Sequence, residues 1–342
     1  MKVAIDAQLT VGTATGIGEY AAGLTGALRA QGVDVVALRE PRLDPWRFDR
    51  RLVWDQLILP LRAARSGAQL LHCAAGTMPV RSRLPIVVTV HDVAWLKVQA
   101  HARPYARYYF GVYALRRYAR ARRIVVDSQF SRGELLDVLN VPAERVDVVY
   151  PGVAAEFCAL QRRSGGSKTI LVPGTVERRK NLEVLVRSLP GLPGARLVSV
   201  GPPTPYLATC RDLAVSLRVG DRVEFRGYVS RSELLDLYAT SAVVAVPSRY
   251  EGFGYAAAQA LCAGIPAVVS DRSSLPEVVG SDAAIVPVDD VAAWRDALRD
   301  VLERGDSERV GRARQAASVR FAWSSSATAM RAVYERSLES GA

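Results

Sequence analysis

Residues 242–269 combine an apolar strand, a turn with one carboxylate and two glycines, and a short helix. The strand Ala242 to Val246 is followed shortly by Glu251-Gly252-Phe253-Gly254. Tyr255 to Pro266 is rich in alanine and leucine and ends at a glycine and a proline, which predicts a short buried helix. Such a turn points backbone N–H donors and the positive end of the helix dipole at a ligand above the strand. Phosphate is the usual ligand there, so this turn is the predicted active centre.

Further motifs lie in both halves of the chain. They are Val90-His91-Asp92, Asp127-Ser128-Gln129-Phe130-Ser131, Pro173-Gly174-Thr175-Val176-Glu177-Arg178-Arg179-Lys180-Asn181, Gly227-Tyr228-Val229, Ala260 to Pro266, and Ser270-Asp271-Arg272-Ser273-Ser274-Leu275-Pro276-Glu277. With these motifs the sequence resembles the retaining glycosyltransferases of family 4, which have the GT-B fold. The resemblance covers nearly the whole chain.

Length and patterning predict an α/β protein with two doubly wound, Rossmann-like domains. A chain of 342 residues suits two domains of about 150 residues each. Residues 161–167 are polar and contain glycine, as linkers do. The expected domains are residues 1–160, on the acceptor side, and 161–322, which bind the nucleotide sugar. By the resemblance, residues 323–342 form a helix that crosses back onto the first domain, and the domains face each other across a cleft.

Apolar runs alternate with helical sequence in both halves, which indicates parallel βα units. The predicted strands are Val3 to Ile5, Val33 to Leu38, Gln69 to His72, Ile86 to Val90, Ile124 to Val126, Val146 to Val149, Lys168 to Val172, Arg196 to Val200, Arg222 to Phe225, Ala242 to Val246, Ala267 to Val269 and Ala284 to Val286.

Two capping boxes predict helix starts, one at Ser131 with Glu134 and one at Ser230 with Glu233. Two final helices are expected, Val291 to Leu302 and about 324–338.

Glu251 is the leading candidate for a catalytic residue. The resemblance implies that its carboxylate binds hydroxyls of the donor sugar and that the amides of Gly252, Phe253 and Gly254 help to hold sugar and phosphate. Without a ligand, a glutamate here only complements the helix dipole. The family usually has a second glutamate eight residues later, which binds the ribose, and Gln259 replaces it here. Glutamine can still accept from one hydroxyl but has no charge.

Arg179 and Lys180 follow the first strand of the second half, at a helix entrance. Glycosyl transfer leaves negative charge on the departing diphosphate, and these side chains can supply fixed cations without a metal. An exposed basic turn is the alternative interpretation. By resemblance, Tyr228 and Val229 contact the nucleotide base, and Gly16 and Gly18 belong to a glycine-rich loop near the diphosphate.

His91 and Asp92 follow the strand Ile86 to Val90, and Asp127 follows the next strand. The resemblance places His91 as a catalytic-side contact to the donor sugar, and Asp92 and Asp127 on the acceptor side. No Asp or Glu presents itself as a covalent nucleophile. The retained stereochemistry implied by the family therefore comes from front-face attack, with the leaving phosphate as base. No cofactor is expected beyond the nucleotide sugar, which is a co-substrate.

Composition constrains partners. The net charge is +11, and residues 1–150 hold 21 Lys and Arg against 13 Asp and Glu. Arg116, Arg117, Arg120, Arg122 and Arg123 cluster after a tyrosine-rich stretch that begins at Tyr105. An exposed helix face and contact with an anionic membrane surface are both open interpretations. Net charge alone does not indicate nucleic-acid binding.

Four well-separated cysteines, an acidic residue within Met1 to Asp6 and the lack of a long apolar segment argue against a zinc site, an exported chain and a transmembrane helix. The expectation is a cytoplasmic protein, with peripheral contact at the inner membrane face as the open alternative.

Other functions are weighed against this one. Gly16-x-Gly18-x-x-Ala21 fits a dinucleotide fingerprint, but about ten residues separate it from the first strand, where the fingerprint should follow at once. An oxidoreductase also leaves Glu251 and Arg179 without a role. A nucleotide-sugar epimerase on the same fold and a non-catalytic sugar-nucleotide-binding protein, suggested by Gln259, stay open.

Overall fold

A computed structural model describes residues 1–12, 16–97, 108–163, 165–304 and 307–339. The chain divides into two compact units. Unit 1 comprises Met1–Gly152 with Ala322–Ala342, and unit 2 comprises Val153–Phe321. The domain boundary predicted at residue 160 lies after the observed one at Gly152. The reason is that the short helix Ala155–Cys158 packs on unit 2, with Phe157 against Tyr238.

Unit 1 contains one six-stranded parallel sheet with helices on both faces. Its strands are β1 (Lys2–Asp6), β2 (Asp34–Leu38), β3 (Leu70–Cys73), β4 (Ile86–Val90), β5 (Arg123–Val126) and β6 (Val146–Val148). Its helices are α1 (Gly16–Ala30), α2 (Phe48–Val53), α3 (Leu59–Arg65), α4 (Ala94–Lys97), α5 (Tyr113–Tyr118), α6 (Gln129–Val138) and, after unit 2, α15 (Trp323–Glu339). π-helical turns at Trp54–Ile58 and Tyr108–Val112 precede α3 and α5.

Unit 2 has the same construction. Its strands are β7 (Thr169–Pro173), β8 (Arg196–Val200), β9 (Val223–Phe225), β10 (Val243–Val246), β11 (Ala267–Ser270) and β12 (Ala284–Val286). Its helices are α7 (Ala155–Cys158), α8 (Leu182–Ser188), α9 (Tyr206–Ser216), α10 (Arg231–Thr240), α11 (Tyr255–Cys262), α12 (Leu275–Val279), α13 (Val291–Glu303) and α14 (Ser307–Arg320).

Strand order determines where each sheet can bind a ligand. Unit 1 has the order β2-β1-β3-β4-β5-β6, and unit 2 has β12-β11-β10-β7-β8-β9. In such doubly wound sheets ligands bind outside the carboxyl ends of the strands where the order reverses. In unit 2 this place lies between β7 and β10.

The strands form because each is a short run of β-branched and other apolar residues bounded by turn residues. All five residues of β4 are buried, as expected for a strand covered on both faces. One side of the unit 1 sheet packs Val3, Ile5 and Leu70 with Tyr20 and Tyr334 from α1 and α15. All predicted strands are confirmed to within a few residues.

Among the predicted helix starts one is wrong and one is confirmed, and one helix was not predicted. The helix predicted to start at Ser131 starts at Gln129, because the Ser128 side chain accepts the Ser131 N–H and Ser128 is the N-cap. The capping box of Ser230 and Glu233 is confirmed. Helix α14 was not predicted, since its sequence is largely polar and buries only a few small residues such as Ala313 and Ala317.

Trp323, the first residue of α15, fits between two glycines of unit 1. A Cβ on Gly23 would lie 2.2 Å from Cε2 of Trp323, and one on Gly152 would lie 2.3 Å from its Cδ2. The ring therefore has no room to move away from either backbone. Glycine at these two positions lets α15 approach α1.

Gly23→Ala is expected to destabilise the protein by about 1–3 kcal/mol, although alanine normally favours a helix, because the new methyl group overlaps a confined ring. Gly26→Ala is the matched control, because it lies in the same helix with nothing within 4 Å of its added Cβ. Urea unfolding of both variants measures the difference. Equal midpoints would show that Trp323 is not confined.

Candidate active site

The Glu251 turn is fixed by three serines that sequence reasoning did not identify. The Ser248 hydroxyl donates to Glu251 Oε1 at 2.6 Å. The Glu251 N–H donates to Ser273 Oγ at 2.9 Å, and the Ser274 hydroxyl donates to the Glu251 carbonyl at 3.0 Å. The only sequence signal for these contacts was the serine-rich run at residues 270–277. Glu251 is consequently buried and rigidly oriented at the carboxyl end of β10.

Lys180 and Arg179 contact the same carboxylate. Lys180 Nζ lies 2.5 Å from Glu251 Oε1, and Arg179 Nη1 lies 3.4 Å from Oε2. Arg179 also pairs with Glu177 at 2.8 Å and donates to the Tyr250 carbonyl at 2.9 Å. The structure thus brings together the predicted cations and the predicted catalytic carboxylate at the β7–β10 crevice.

Electrostatics keep this carboxylate ionised. Burial alone would raise the pKa of Glu251, but the charges of Lys180 and Arg179, with hydrogen bonds from Lys180 and Ser248, lower it below its ordinary value. At neutral pH the Glu251 carboxylate is therefore in direct contact with two cations, of which Arg179 also pairs with Glu177.

Asn181 ends the basic turn and is itself in the left-handed conformation, with φ of 52°. Asparagine tolerates this conformation better than most residues. Its Nδ2 donates to the Val288 carbonyl at 2.8 Å, and its Oδ1 accepts from Arg249 at 3.0 Å. Arg249 also pairs with Asp289 at 2.6 Å. These contacts join the β7 turn to the β10 turn and to the segment before α13.

Gly201 lets two neighbouring loops approach each other. Its φ is 146°, and a Cβ there would lie 2.2 Å from the Gly174 carbonyl oxygen. The Gly201 N–H also donates to the Gly227 carbonyl at 2.8 Å. The loops after β7, β8 and β9 are therefore connected, which positions the following Tyr228, 56% exposed, and the half-buried Val229 at the same sheet edge.

The sugar-binding candidates open helix α11. Gly254 is its N-cap with φ of 91°, and a Cβ there would lie 2.7 Å from Leu275 Cδ2. The Phe253 ring is buried, in edge contact with Tyr255 and Phe321. The Phe253 side chain therefore anchors the turn. Gly252, between Glu251 and Phe253, has no side chain that could cover the backbone there.

In unit 1 the structure pairs two of the predicted residues. His91 Nδ1 lies 2.6 Å from Asp127 Oδ2, and its Nε2 lies 3.0 Å from the Ala74 carbonyl oxygen. This arrangement favours the imidazolium, in which both ring nitrogens donate, while burial raises the pKa of the Asp127 carboxyl. Burial alone would lower the pKa of His91, but the Asp127 charge and these hydrogen bonds raise it above 6.5.

The remaining unit 1 candidates have simpler surroundings. Asp92 Oδ1 accepts the Ala94 N–H at 3.0 Å, which stabilises the start of α4. Gly16 and Gly18 lie in the first turn of α1, the former exposed and the latter buried. These residues belong to unit 1, whereas the cluster around Glu251 belongs to unit 2.

A second histidine, His72, is connected to His91 through Thr89 and Tyr20. His72 Nε2 contacts Thr89 Oγ1 at 2.8 Å, and its Nδ1 contacts the Tyr334 hydroxyl at 2.7 Å. Burial lowers the pKa of His72 to about 3, so it is neutral. Thr89 also contacts the Tyr20 hydroxyl at 3.0 Å, and the Tyr20 ring packs edge-on against His91 at 4.9 Å.

Two family models match the chain. The model described as Glycosyltransferase Family 4 matches residues 14–157, and the one described as Glycosyl transferases group 1 matches residues 159–319. The chain belongs to the group 1, family 4 glycosyltransferases. The serine-supported Glu251 turn and the Arg179-Lys180 turn both lie in the group 1 part.

Curated relatives within the family share the name D-inositol 3-phosphate glycosyltransferase. The protein of Mycolicibacterium smegmatis is 31% identical over 233 residues, which is 64% of this chain and 54% of the relative. The protein of Xylanimonas cellulosilytica is 34% identical over 278 residues, which is 73% of this chain and 66% of the relative. The chain thus spans between about half and two thirds of the length of these relatives.

Solved glycosyltransferase structures share the GT-B fold. A sucrose-phosphate synthase from Thermosynechococcus elongatus has a TM-score of 0.76 at 20% identity, over 99% of this chain and 100% of that one. Anabaena HepE, solved with UDP and glucose, has a TM-score of 0.71 at 17% identity, over 98% and 99% of the two chains. The predicted fold class is confirmed.

Gln259 departs from the family pattern in a way that the structure specifies. The Tyr238 hydroxyl donates to Gln259 Oε1 at 3.0 Å. The amide oxygen keeps a second lone pair, and the amide N–H groups add donors that the usual glutamate lacks. That this glutamine accepts from a ribose hydroxyl stays a prediction.

No helix in the described ranges is both long and apolar enough to cross a membrane. No group of three or more His, Cys, Asp or Glu side chains in this part of the chain is arranged to hold a metal ion.

Replacing Asp127 by asparagine is expected to lower the pKa of His91, because the neutral amide removes the charge that stabilises the imidazolium. In the wild type, the stabilisation from His91 is complete below pH 6.5 and is lost as the pH rises through the folded-state pKa, which lies above 6.5. NMR titration of the imidazole resonances measures both effects, with neutral His72 as internal reference. An unchanged His91 titration would contradict the assigned pair.

Proposed function

We propose that this chain is a retaining glycosyltransferase that moves a hexose from a nucleoside diphosphate sugar to an acceptor hydroxyl. The observation that carries the proposal is the buried Glu251 carboxylate in contact with Lys180 and Arg179 at the β7–β10 crevice. Such a cluster offers two cations for a diphosphate and one carboxylate for sugar hydroxyls. Family membership and the UDP complex of HepE support the same donor class.

In the proposed reaction, Lys180 and Arg179 stabilise the negative charge that develops on the leaving diphosphate. Their contacts with Glu251 are exchanged for phosphate oxygens as the donor binds. Glu251 is then available to accept hydrogen bonds from the donor sugar. Its serine contacts keep it oriented during this exchange.

Retention is proposed to follow from front-face attack. The bond between the anomeric carbon and the diphosphate oxygen breaks as the acceptor oxygen attacks from the same face. The acceptor's proton passes to an oxygen of the leaving phosphate. His91 is proposed to present its Nε2–H to the donor sugar in place of the Ala74 carbonyl. NMR of the product measures the anomeric configuration, and an inverted product would exclude this mechanism.

The donor and acceptor remain to be assigned by experiment. The Pro173 to Asn181 turn resembles mannosyltransferases that use GDP-mannose, whereas HepE was solved with UDP. The names of the curated relatives make D-inositol 3-phosphate the first acceptor to test, before oligosaccharides, glycolipids and natural products. We propose that no metal is required, because Lys180 and Arg179 already supply two positive charges.

Titration of the protein with GDP, UDP, dTDP and ADP, with and without Mg²⁺, tests the proposal. Submicromolar to micromolar binding of one nucleotide without Mg²⁺, weakened in Arg179→Ala, is the expected result. Binding only with Mg²⁺ would contradict metal independence. Binding of none would contradict the proposed donor site, and binding without sugar transfer would favour the non-catalytic alternative, which Gln259 in place of the usual glutamate suggests. Release of a free epimerised nucleotide sugar would instead indicate an epimerase.

A further inference from the structure

The basic cluster noted in the sequence contributes to a pocket that the proposed reaction does not use. The pocket, of about 1240 Å³, lies at the amino ends of β4 and β5 and is lined by residues 78–86, 120–123, 144–145 and 337–338. Arg81, Arg83, Arg120, Arg122, Arg123 and Arg145 line it, with Glu144 as the one carboxylate. Six guanidinium groups thus surround one open cavity, and that of Arg123 is paired with Asp147.

The cluster is not the exposed helix face that the sequence suggested. Arg117 is buried, donates to the Met78 and Tyr109 carbonyls, and lies 4.3 Å from the Tyr109 ring centroid. Arg123 belongs to β5 and pairs with Asp147 at 2.6 Å. Arg117 therefore organises the tyrosine-rich segment from inside, and Tyr105 lies outside the described residues.

Backbone contacts fix part of the pocket. Arg145 donates to the Ala119 carbonyl at 3.0 Å and also to the Ala121 carbonyl. Arg123 donates to the Glu144 carbonyl at 2.6 Å. A carbonyl oxygen leaves the positive charge of a guanidinium uncompensated, whereas the Asp147 carboxylate compensates that of Arg123. Among the described residues, Arg145 therefore holds uncompensated charge at the wall in a defined position.

Three exposed arginines complete the charge on the pocket rim, namely Arg81, Arg83 and Arg122. No carboxylate within the described part of the chain forms an ion pair with them. Like charges around a concavity repel one another, and apolar walls such as Leu84 and Ile86 strengthen the field inside it. Binding a polyanion would relieve this repulsion.

We propose that this pocket binds a ligand with two or more clustered phosphate groups. Arginine forks match phosphate oxygens in a bidentate geometry, and convergent arginines favour several phosphates over one. The pocket lies at the opposite strand end from His91, which follows β4 and is about 16 Å from Ile86 at the rise of a parallel strand. It is therefore a site separate from the donor and acceptor residues of unit 1.

Clustered phosphates occur in soluble polyphosphates and at the surface of anionic lipid bilayers. Two probes distinguish them: inorganic tripolyphosphate, and vesicles of phosphatidylglycerol with phosphatidylcholine. Binding of each is measured on the full chain carrying Arg179→Ala and Lys180→Ala, so that tripolyphosphate cannot report on the proposed donor site. The test variant adds Arg81→Ser, Arg83→Ser and Arg122→Ser.

The matched control variant adds Arg39→Ser, Arg42→Ser and Arg65→Ser, which removes the same charge from exposed positions of unit 1 away from the pocket. We expect the pocket variant to weaken binding of one probe at least about tenfold and the control variant by less than about threefold. Loss confined to tripolyphosphate identifies a soluble ligand. Loss of vesicle binding that tripolyphosphate also displaces identifies a lipid surface.

Equal weakening in both variants would mean that net charge alone attracts the probes and would overturn the proposal. Binding of neither probe would overturn it as well. Thermal unfolding of each variant shows whether the fold is retained. Sugar transfer measured with the three pocket substitutions on the otherwise wild-type chain is expected to be unchanged, which separates this proposal from that of the active site.

Discussion

Glu251→Gln is expected to lower kcat for sugar transfer by about 10²–10³-fold, because the neutral amide replaces a fixed charge that orients the donor sugar in the transition state. Glutamine has the same shape and can still accept from Ser248, so the turn should retain its structure. The same change removes the negative charge that contacts Lys180 and Arg179 in the free protein. Binding of the nucleoside diphosphate is therefore expected to tighten by about tenfold.

Opposite effects on turnover and binding distinguish this role from a structural one. The control is Glu177→Gln, which removes the other carboxylate that pairs with Arg179. Because Glu177 is one third exposed, its loss should change either quantity by less than about threefold. Initial rates and calorimetric titration measure the two quantities. Weaker nucleotide binding in Glu251→Gln, or a transfer rate close to that of the wild type, would contradict the proposed exchange.

Lys180→Ala is expected to weaken binding of the nucleoside diphosphate by about 10–100-fold, because a charge-assisted hydrogen bond contributes about 1.5–3 kcal/mol. The effect should be equally large with and without Mg²⁺. It should also lower kcat, since the charge on the leaving group grows in the transition state.

Arg178→Ala provides the matched control for Lys180. It belongs to the same turn and carries the same charge, but its guanidinium lies 5.4 Å from the Tyr206 ring centroid instead of contacting Glu251. Binding titrations of both variants measure the contrast. Equal losses would show that the turn attracts nucleotides through net charge, and Lys180 would have no specific role.

The sequence predicted the strands well because each is a run of apolar residues that the sheet buries on both faces. It also predicted that Glu251 and Lys180 would matter, and the parallel order of β7 and β10 explains why residues 71 positions apart touch. It assigned Ser131 as N-cap in place of Ser128, since both are serines near the same helix start and only backbone geometry separates them.

Other features depended on contacts that no local pattern encodes. Arg117 is buried because the carbonyl of the distant Met78 and the ring of Tyr109 surround its guanidinium. The three serines around Glu251 come from two separate loops. Gln259 was recognised as a departure, but its hydrogen bond with Tyr238 could not be predicted from the sequence.

The return of α15 to unit 1 has a consequence for biosynthesis. Unit 2 is one continuous segment, whereas the core of unit 1 needs Met330, Val333 and Tyr334 from the far end of the chain. Residues 1–152 leave the ribosome first, yet they cannot complete their core until all of unit 2 has followed. The segment made second is thus the one that can finish folding first, and the first must wait with His72 and the inner face of α1 uncovered.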